Sequence, residues 1–192
     1  MHALDGVRRP AIVCPMRILF SRFALIVGLG VVAWAAPIPQ TNGKLKIGDP
    51  IPAVTSEDQN GTPVDLAKEG GAGYTLVYFF PKAMTPGCTA QACSLRDSYS
   101  ELQSKGVKIF GVSLDTIEAQ KKFTEEDHLP FALLADPEKK VVSAFGVPLM
   151  GNGLATRQAY LFKDGKLVWF DTHASTSQQA QDVLAVLARQ SS

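Results

Sequence analysis

The residues best suited to chemistry are two cysteines, Cys88 and Cys93, which lie five positions apart in the segment YFFPKAMTPGCTAQACSLRD, residues 78–97. The chain has only one other cysteine, Cys14. Thiols this close together can react in turn, form a disulfide, bind a metal or pack as small apolar groups.

The spacing of these cysteines argues against a static cross-link. Ala92, Leu95 and Leu102 fall on one helical face, which predicts an amphipathic helix that begins near Cys88. At 100° per residue, Cys88 lies about 20° from Leu95 and Cys93 about 160° from it, so the two thiols face opposite sides. Their Cα atoms would be about 8.7 Å apart, beyond the roughly 7 Å that a disulfide bridges without backbone movement. A bond between them requires the start of the helix to unwind, which favours a cycle between two states.

The residues around Cys88 favour a thiolate. A cysteine at a helix N-terminus lies among unpaired backbone N–H groups and the positive end of the helix dipole, and both stabilise the anion. Pro86 and Gly87 suit a tight turn into that helix. We expect Thr85 to place its hydroxyl near the sulfur, and Pro81 to end the preceding strand and shield the pocket from water.

Three other interpretations of the cysteine pair remain. Packing as small apolar groups explains poorly why both cysteines occur in so short a span. A structural disulfide conflicts with the helical spacing. A zinc site normally needs four ligands, whereas His128 and His173 each stand without a second Cys or His at ligand spacing. We expect both histidines at exposed helix ends or in loops.

The elements that position the cysteines form a βαβ unit. Residues 75–80 and 107–114 are short apolar runs rich in β-branched and aromatic residues, which predicts two buried strands. The cysteine-bearing helix lies between them, and strand, helix and strand at this spacing indicate a parallel pair.

The second half of the chain continues in short elements. We predict a surface helix at residues 116–128, a strand at 131–136 and a helix at 137–147 that Pro137 opens and Gly146 ends. A hairpin around Asp164-Gly165 follows at residues 158–170, and a final amphipathic helix at residues 177–190. The sequence therefore predicts one α/β domain over residues 44–192, with a mixed sheet because hairpin strands join a parallel pair.

Residues 1–36 have the order of a secretory signal. Four arginines precede the uncharged run FALIVGLGVVAWAA, which ends on the cleavage-like pattern Ala33-x-Ala35. A run of this length is short for a membrane-spanning helix, which needs about 20 apolar residues. We expect export with cleavage. An uncleaved membrane anchor, a transit sequence and a true start at Met16 are the alternatives.

The charge balance gives no sign of nucleic-acid binding. Residues 1–35 hold four of the 19 basic and one of the 18 acidic side chains, so the remainder has 15 and 17, a net charge of −2. No basic stripe is left that would follow a phosphate backbone.

Three residues around Cys88 carry a resemblance to a known protein family. Pro81, Thr85 and Cys88 form the pattern P-x-x-x-T-x-x-C, which resembles the active-site signature of the peroxiredoxins. The segments FFPKAMTPGCTAQACSLRD, GVSLDT, FALLADPEKKVVSAFGV and TRQAYLFKDGKL together resemble the peroxiredoxin Q or bacterioferritin comigratory protein branch. The match runs from about Lys46 to the C-terminal helix.

This resemblance implies a thioredoxin-like fold, with helices flanking a central mixed sheet, and the activity of an atypical two-cysteine peroxidase. Cys88 would be the peroxidatic cysteine and Cys93 the resolving one. Arg157, in TRQAYLF, matches the arginine that holds thiolate and peroxide, beside Thr85 and Pro81. Gln91 stands where many relatives have glutamate.

The resemblance also sets expectations about substrates and partners. The substrates would be hydrogen peroxide and organic hydroperoxides, the reductant thioredoxin or a similar dithiol protein, and the enzyme a monomer without metal, haem or flavin. An exported thiol-disulfide oxidoreductase is the alternative, although that activity normally uses Cys-x-x-Cys. A catalytically inactive binding domain fits poorly because all four pocket residues are present.

Overall fold

The computed structural model describes residues 45–190. The predicted leader, residues 1–36, lies outside the described residues. Within residues 45–190 no helix is long and apolar enough to cross a membrane.

The described residues form seven strands and six helices. In chain order they are β1 Thr55–Asp58, β2 Pro63–Asp65, α1 Leu66–Glu69, β3 Tyr74–Phe79, α2 Pro86–Asp97, α3 Tyr99–Ser104, β4 Val107–Ser113, α4 Ile117–Glu126, β5 Ala132–Ala135, α5 Lys140–Phe145, β6 Gln158–Lys163, β7 Lys166–Asp171 and α6 Gln179–Gln190.

The strands make a single sheet in the order β2-β1-β5-β4-β3-β6-β7. The pairs β3–β4 and β4–β5 are parallel, whereas β6 joins β3 antiparallel and the β6–β7 hairpin completes that edge. The predicted βαβ unit, hairpin and mixed sheet are confirmed. Asp164 and Gly165 have φ of 48° and 76°, which two-residue hairpin loops of this twist require.

Each face of the sheet carries its own apolar core, because successive strand residues point to opposite faces. Leu76, Tyr78 and Phe80 pack with Cys88 and residues of α2, α3, α4 and α6. Val77 and Phe79 pack on the other face with residues of α1 and α5. Cys88 is therefore anchored in the core beneath β3.

Two predicted helices differ in the structure. The helix after β3 is interrupted at Ser98, which separates α2 from α3. The helix expected to open at Pro137 begins at Lys140, because Lys139 adopts a left-handed φ of 61° and the Asp136 carboxylate accepts hydrogen bonds from the amides of Val141 and Val142. The predicted end of α5 at Gly146 is confirmed, with a φ of 65°.

Candidate active site

Cys88 is the third residue of α2 and is 1% exposed. Thr85 caps the helix with extended backbone, and its carbonyl accepts the amide of Thr89. Helix geometry leaves the amides of Gly87 and Cys88 without an intrahelical acceptor. The sulfur thus lies at the positive end of α2, as the sequence predicts.

Arg157 reaches Cys88 from a distant part of the chain. It precedes β6, and Gln158 pairs with Phe79 at the end of β3, so the chain enters β6 beside the turn that leads to α2. Nη2 of Arg157 donates to Sγ of Cys88 at 3.3 Å. A guanidinium at this distance stabilises a thiolate and can also donate to an oxygen bound to the sulfur.

Gln91 orients that guanidinium. It lies one turn after Cys88 on the same helix, is fully buried, and its Oε1 accepts a short hydrogen bond from Nη1 of Arg157. Nη1 and Nη2 of Arg157 therefore each donate to a residue of α2. Sequence reasoning noted Gln91 only as a departure from relatives and assigned it no role in the pocket.

Thr85 and Pro81 lie on the turn between β3 and α2. The Thr85 hydroxyl donates to the carbonyl of Lys82 at 2.9 Å, so in this structure its proton is held by the turn. Pro81 and Arg157 line a cavity of about 500 Å³ together with Pro148, Met150, Thr156, Gln158, Thr172, His173 and Ala174. Pro81 lies two residues after Phe79, the last residue of β3.

The same turn is held by a carboxylate that the sequence did not single out. Asp115 accepts a hydrogen bond from the amide of Ala83 at 2.8 Å and another from the Ser113 hydroxyl at 2.7 Å. Nε2 of the buried Gln120 donates to that same hydroxyl at 2.8 Å. Both Ser113 and Asp115 belong to the segment GVSLDT, which carries part of the family resemblance, but the sequence did not indicate what the two residues do.

Cys93 lies on α2 away from the pocket and is partly exposed. Burial raises the pKa of its thiol, and the Asp127 and Asp97 carboxylates raise that pKa further against the opposing charge of Arg96. Sγ of Cys93 lies 3.9 Å from Oδ1 of Asp127, and Nη1 of Arg96 donates to the Asp127 carbonyl at 2.8 Å. Cys88 and Cys93 are both free thiols, and α2 is continuous between them.

Both histidines occupy exposed positions, as the sequence predicts. His128 follows α4 with a φ of 50°, and His173 lies in the turn after β7 at the rim of the cavity. Within residues 45–190 no group of three or more His, Cys, Asp or Glu side chains could hold a metal ion.

Comparison with known proteins decides the family. The model of the AhpC/TSA family matches residues 47–170. The chain belongs to the AhpC/TSA family. The chloroplastic peroxiredoxin Q of Oryza sativa subsp. japonica is 36% identical over 171 residues, which cover 84% of this chain and 78% of that protein.

Other AhpC/TSA relatives agree on the branch. Peroxiredoxin Bcp of Escherichia coli strain K12 is 48% identical over 103 residues, or 54% of this chain. The alignments span 65% of that protein and 62% of Peroxiredoxin bcp1 of Schizosaccharomyces pombe, less than two thirds of each. The crystal structure of peroxidoxin BcpB from Mycobacterium tuberculosis superposes with a TM-score of 0.70 at 31% identity, covering 76% of this chain and 97% of that one. The resemblance to the peroxiredoxin Q and Bcp branch and the thioredoxin-like fold are both confirmed.

Proposed function

We propose that this chain reduces hydrogen peroxide and organic hydroperoxides with Cys88 as the peroxidatic cysteine. The observation that carries the proposal is the contact between Arg157 and Cys88, in which a guanidinium reaches a buried sulfur in the first turn of α2. That arrangement suits attack on a peroxide, because it stabilises both the thiolate and the charge that develops on the leaving oxygen.

In the first step, the Cys88 thiolate attacks the terminal oxygen of the peroxide. A sulfur–oxygen bond forms as the oxygen–oxygen bond breaks, and the leaving oxygen takes up a proton to become water or an alcohol. Arg157, the Cys88 amide and the Thr85 hydroxyl, turned from Lys82 towards the substrate, hold the two oxygens. Cys88 is left as a sulfenic acid.

In the second step, Cys93 attacks the sulfenic sulfur. A disulfide forms, the sulfur–oxygen bond breaks, and the oxygen leaves as water with the proton of the Cys93 thiol. Since the two cysteines lie on opposite sides of α2, the helix must unwind between them first. An external dithiol protein of the thioredoxin type then reduces the disulfide by thiol–disulfide exchange and is itself oxidised.

The cavity beside Arg157 supports organic hydroperoxides as substrates. The lining of this cavity has an apolar part next to the guanidinium, formed by Pro81, Pro148, Met150 and Ala174. An alkyl chain can lie against these side chains while the peroxide group reaches Cys88.

We further propose that the catalytic domain acts outside the cytoplasm as a monomer. The order of basic flank, apolar run and small residues in positions 1–36 supports export, cleaved or retained as an anchor.

A peroxide-consumption assay on the reduced protein without residues 1–36 tests the proposed activity. We expect stoichiometric loss of peroxide without a reductant and continuous turnover with thioredoxin and its reductase. A protein that exchanges disulfides with a model dithiol but leaves peroxide untouched is an oxidoreductase instead, and that result would overturn the proposal.

A further inference from the structure

A chain of three side chains leads from Cys88 to the C-terminal helix. Arg157 donates to Oε1 of Gln91, and Nε2 of Gln91 donates at 2.9 Å to Oε1 of Gln179, the first residue of α6. Gln91 and Gln179 are both fully buried. The contact therefore connects two residues 88 positions apart in the interior of the protein.

The chemistry of the groups fixes the direction of every hydrogen bond in this chain. A guanidinium only donates, so Gln91 must turn its carbonyl oxygen to Arg157. Its NH₂ group then faces Gln179, which must present its own carbonyl oxygen. Nε2 of Gln179 is left buried without a hydrogen-bond partner among residues 45–190.

We propose that Gln179 is a positioning residue for peroxide reduction: it fixes the orientation of the Gln91 amide and, through it, of the Arg157 guanidinium. The proposal rests on the proposed peroxidase function. A glutamate at position 91 would accept from Arg157 with either carboxylate oxygen. A glutamine must be held with its oxygen towards Arg157, and in this chain Gln179 provides that hold.

The simpler alternative is that Gln91 and Gln179 only join α2 to α6. A second hydrogen bond between these helices separates the two explanations, because the amide of Ala180 donates to Oγ of Ser94 at 3.2 Å. Ser94→Ala removes that contact and leaves the chain from Gln179 to Arg157 intact, so it is the matched control.

The test measures the rate of Cys88 oxidation by one equivalent of hydrogen peroxide in a Cys93→Ser background, where a single thiol reacts. Gln179→Met removes the acceptor and should slow oxidation roughly tenfold, the order expected for one lost buried hydrogen bond. Gln179→Glu keeps an acceptor oxygen facing the Gln91 amide and should stay within about threefold of the parent. Ser94→Ala should oxidise at the parent rate.

A second pair of variants reverses the direction of the hydrogen bond between residues 91 and 179. In a Gln91→Glu background position 91 can only accept, so Gln179 must turn and donate its NH₂ group. Gln179→Glu, tolerated beside Gln91, then brings two carboxyl groups together, which can hydrogen-bond only while they share a proton, so oxidation should slow by more than tenfold as the pH rises and that proton is lost. Thermal unfolding of all variants shows whether a slow rate reflects loss of structure.

The proposal is overturned if Gln179→Met oxidises at the parent rate, if Gln179→Glu is as slow as Gln179→Met beside Gln91, or if Ser94→Ala is equally slow. If Gln179→Met fails to fold, Gln179→Glu is compared beside Gln91 and beside Gln91→Glu. Equal oxidation rates of these two proteins contradict the proposal. A parent protein that does not react with peroxide instead contradicts the proposed function. The same variants are then compared by the rate at which iodoacetamide alkylates Cys88, because Nη2 of Arg157 contacts its sulfur at 3.3 Å whatever the reaction. Equal alkylation rates in Gln179→Met and the parent would then contradict the positioning role.

Discussion

Replacing Asp127 with asparagine should speed disulfide formation between Cys88 and Cys93 at neutral pH. The resolving thiol must lose its proton to attack, and the Asp127 carboxylate 3.9 Å away opposes that loss. Burial is the largest cause of the raised pKa of Cys93, and the Asp127 charge adds to it. Arg96 binds the backbone carbonyl of Asp127, so the substitution leaves that contact in place.

The size of the effect follows from two opposing trends. For each unit by which the pKa of Cys93 falls, the thiolate fraction at lower pH rises about tenfold, whereas the thiolate becomes roughly threefold less nucleophilic. The net gain is about threefold per unit. Because burial persists in Asp127→Asn, we expect a gain on the order of threefold rather than tenfold.

The gain should depend on pH in a defined direction. Below the pKa of Cys93 in both proteins, the variant has more thiolate and resolves faster. Above both pKa values each thiol is ionised, so the gain should disappear and the variant, whose thiolate is the less nucleophilic, should become the slower of the two. Asp97→Asn is the control, because its carboxylate also raises the pKa of Cys93 but is not hydrogen-bonded to the thiol, and its gain should be smaller.

The assay mixes reduced protein with one equivalent of peroxide, quenches with acid at intervals and measures the ratio of sulfenic acid to disulfide by mass. Equal resolution rates in Asp127→Asn and wild type at every pH would refute the reasoning. Unwinding of α2, rather than ionisation of Cys93, would then limit the step.

The remaining predictions concern the pocket, the core and the leader. Arg157→Met should lower the second-order rate constant of Cys88 oxidation by about 10² to 10³, and Thr85→Val should also lower it. Stopped-flow mixing with peroxide measures this rate constant, and unchanged values would remove both residues from the site. Gly111→Ala should destabilise the fold by about 1–3 kcal/mol in denaturant unfolding, since a Cβ there would lie 2.7 Å from the ring of Tyr78; a wild-type midpoint would contradict this. N-terminal sequencing of the exported protein should find cleavage near Ala35, and an intact start on cytosolic protein would exclude export.

The fold elements that the sequence predicts well are those with a strong burial signal. The apolar runs of β3 and β4 and the Asp164-Gly165 turn carry their structure locally. The strand β1, with sequence TSED, was not predicted, because it is short, polar and partly exposed and depends on pairing with β2 and β5. The late start of α5 depends on hydrogen bonds to the side chain of Asp136, and the spacing of apolar residues in the sequence does not reveal such bonds.

In the candidate site, too, the sequence predicts the features that depend on local residues and misses those that depend on distant contacts. The helix position of Cys88 follows from local sequence, whereas Arg157 was assigned only through the family resemblance, since nothing local links residues 69 positions apart. The contact of Gln91 with Gln179 depends on how α6 packs against α2 and was not predicted. The orientation of the Thr85 hydroxyl towards Lys82 is a rotamer choice, which sequence does not determine.

The central claim, that Cys88 reacts and Cys93 resolves, is tested most directly by intact mass after one equivalent of peroxide. Wild type should lose two hydrogen atoms as the disulfide forms, Cys93→Ser should gain one oxygen atom and then stop, and Cys88→Ser should not change. If Cys93→Ser instead turns over at the wild-type rate with thioredoxin, Cys93 is not the resolving residue. A Cys88→Ser protein that still consumes peroxide would contradict the account altogether.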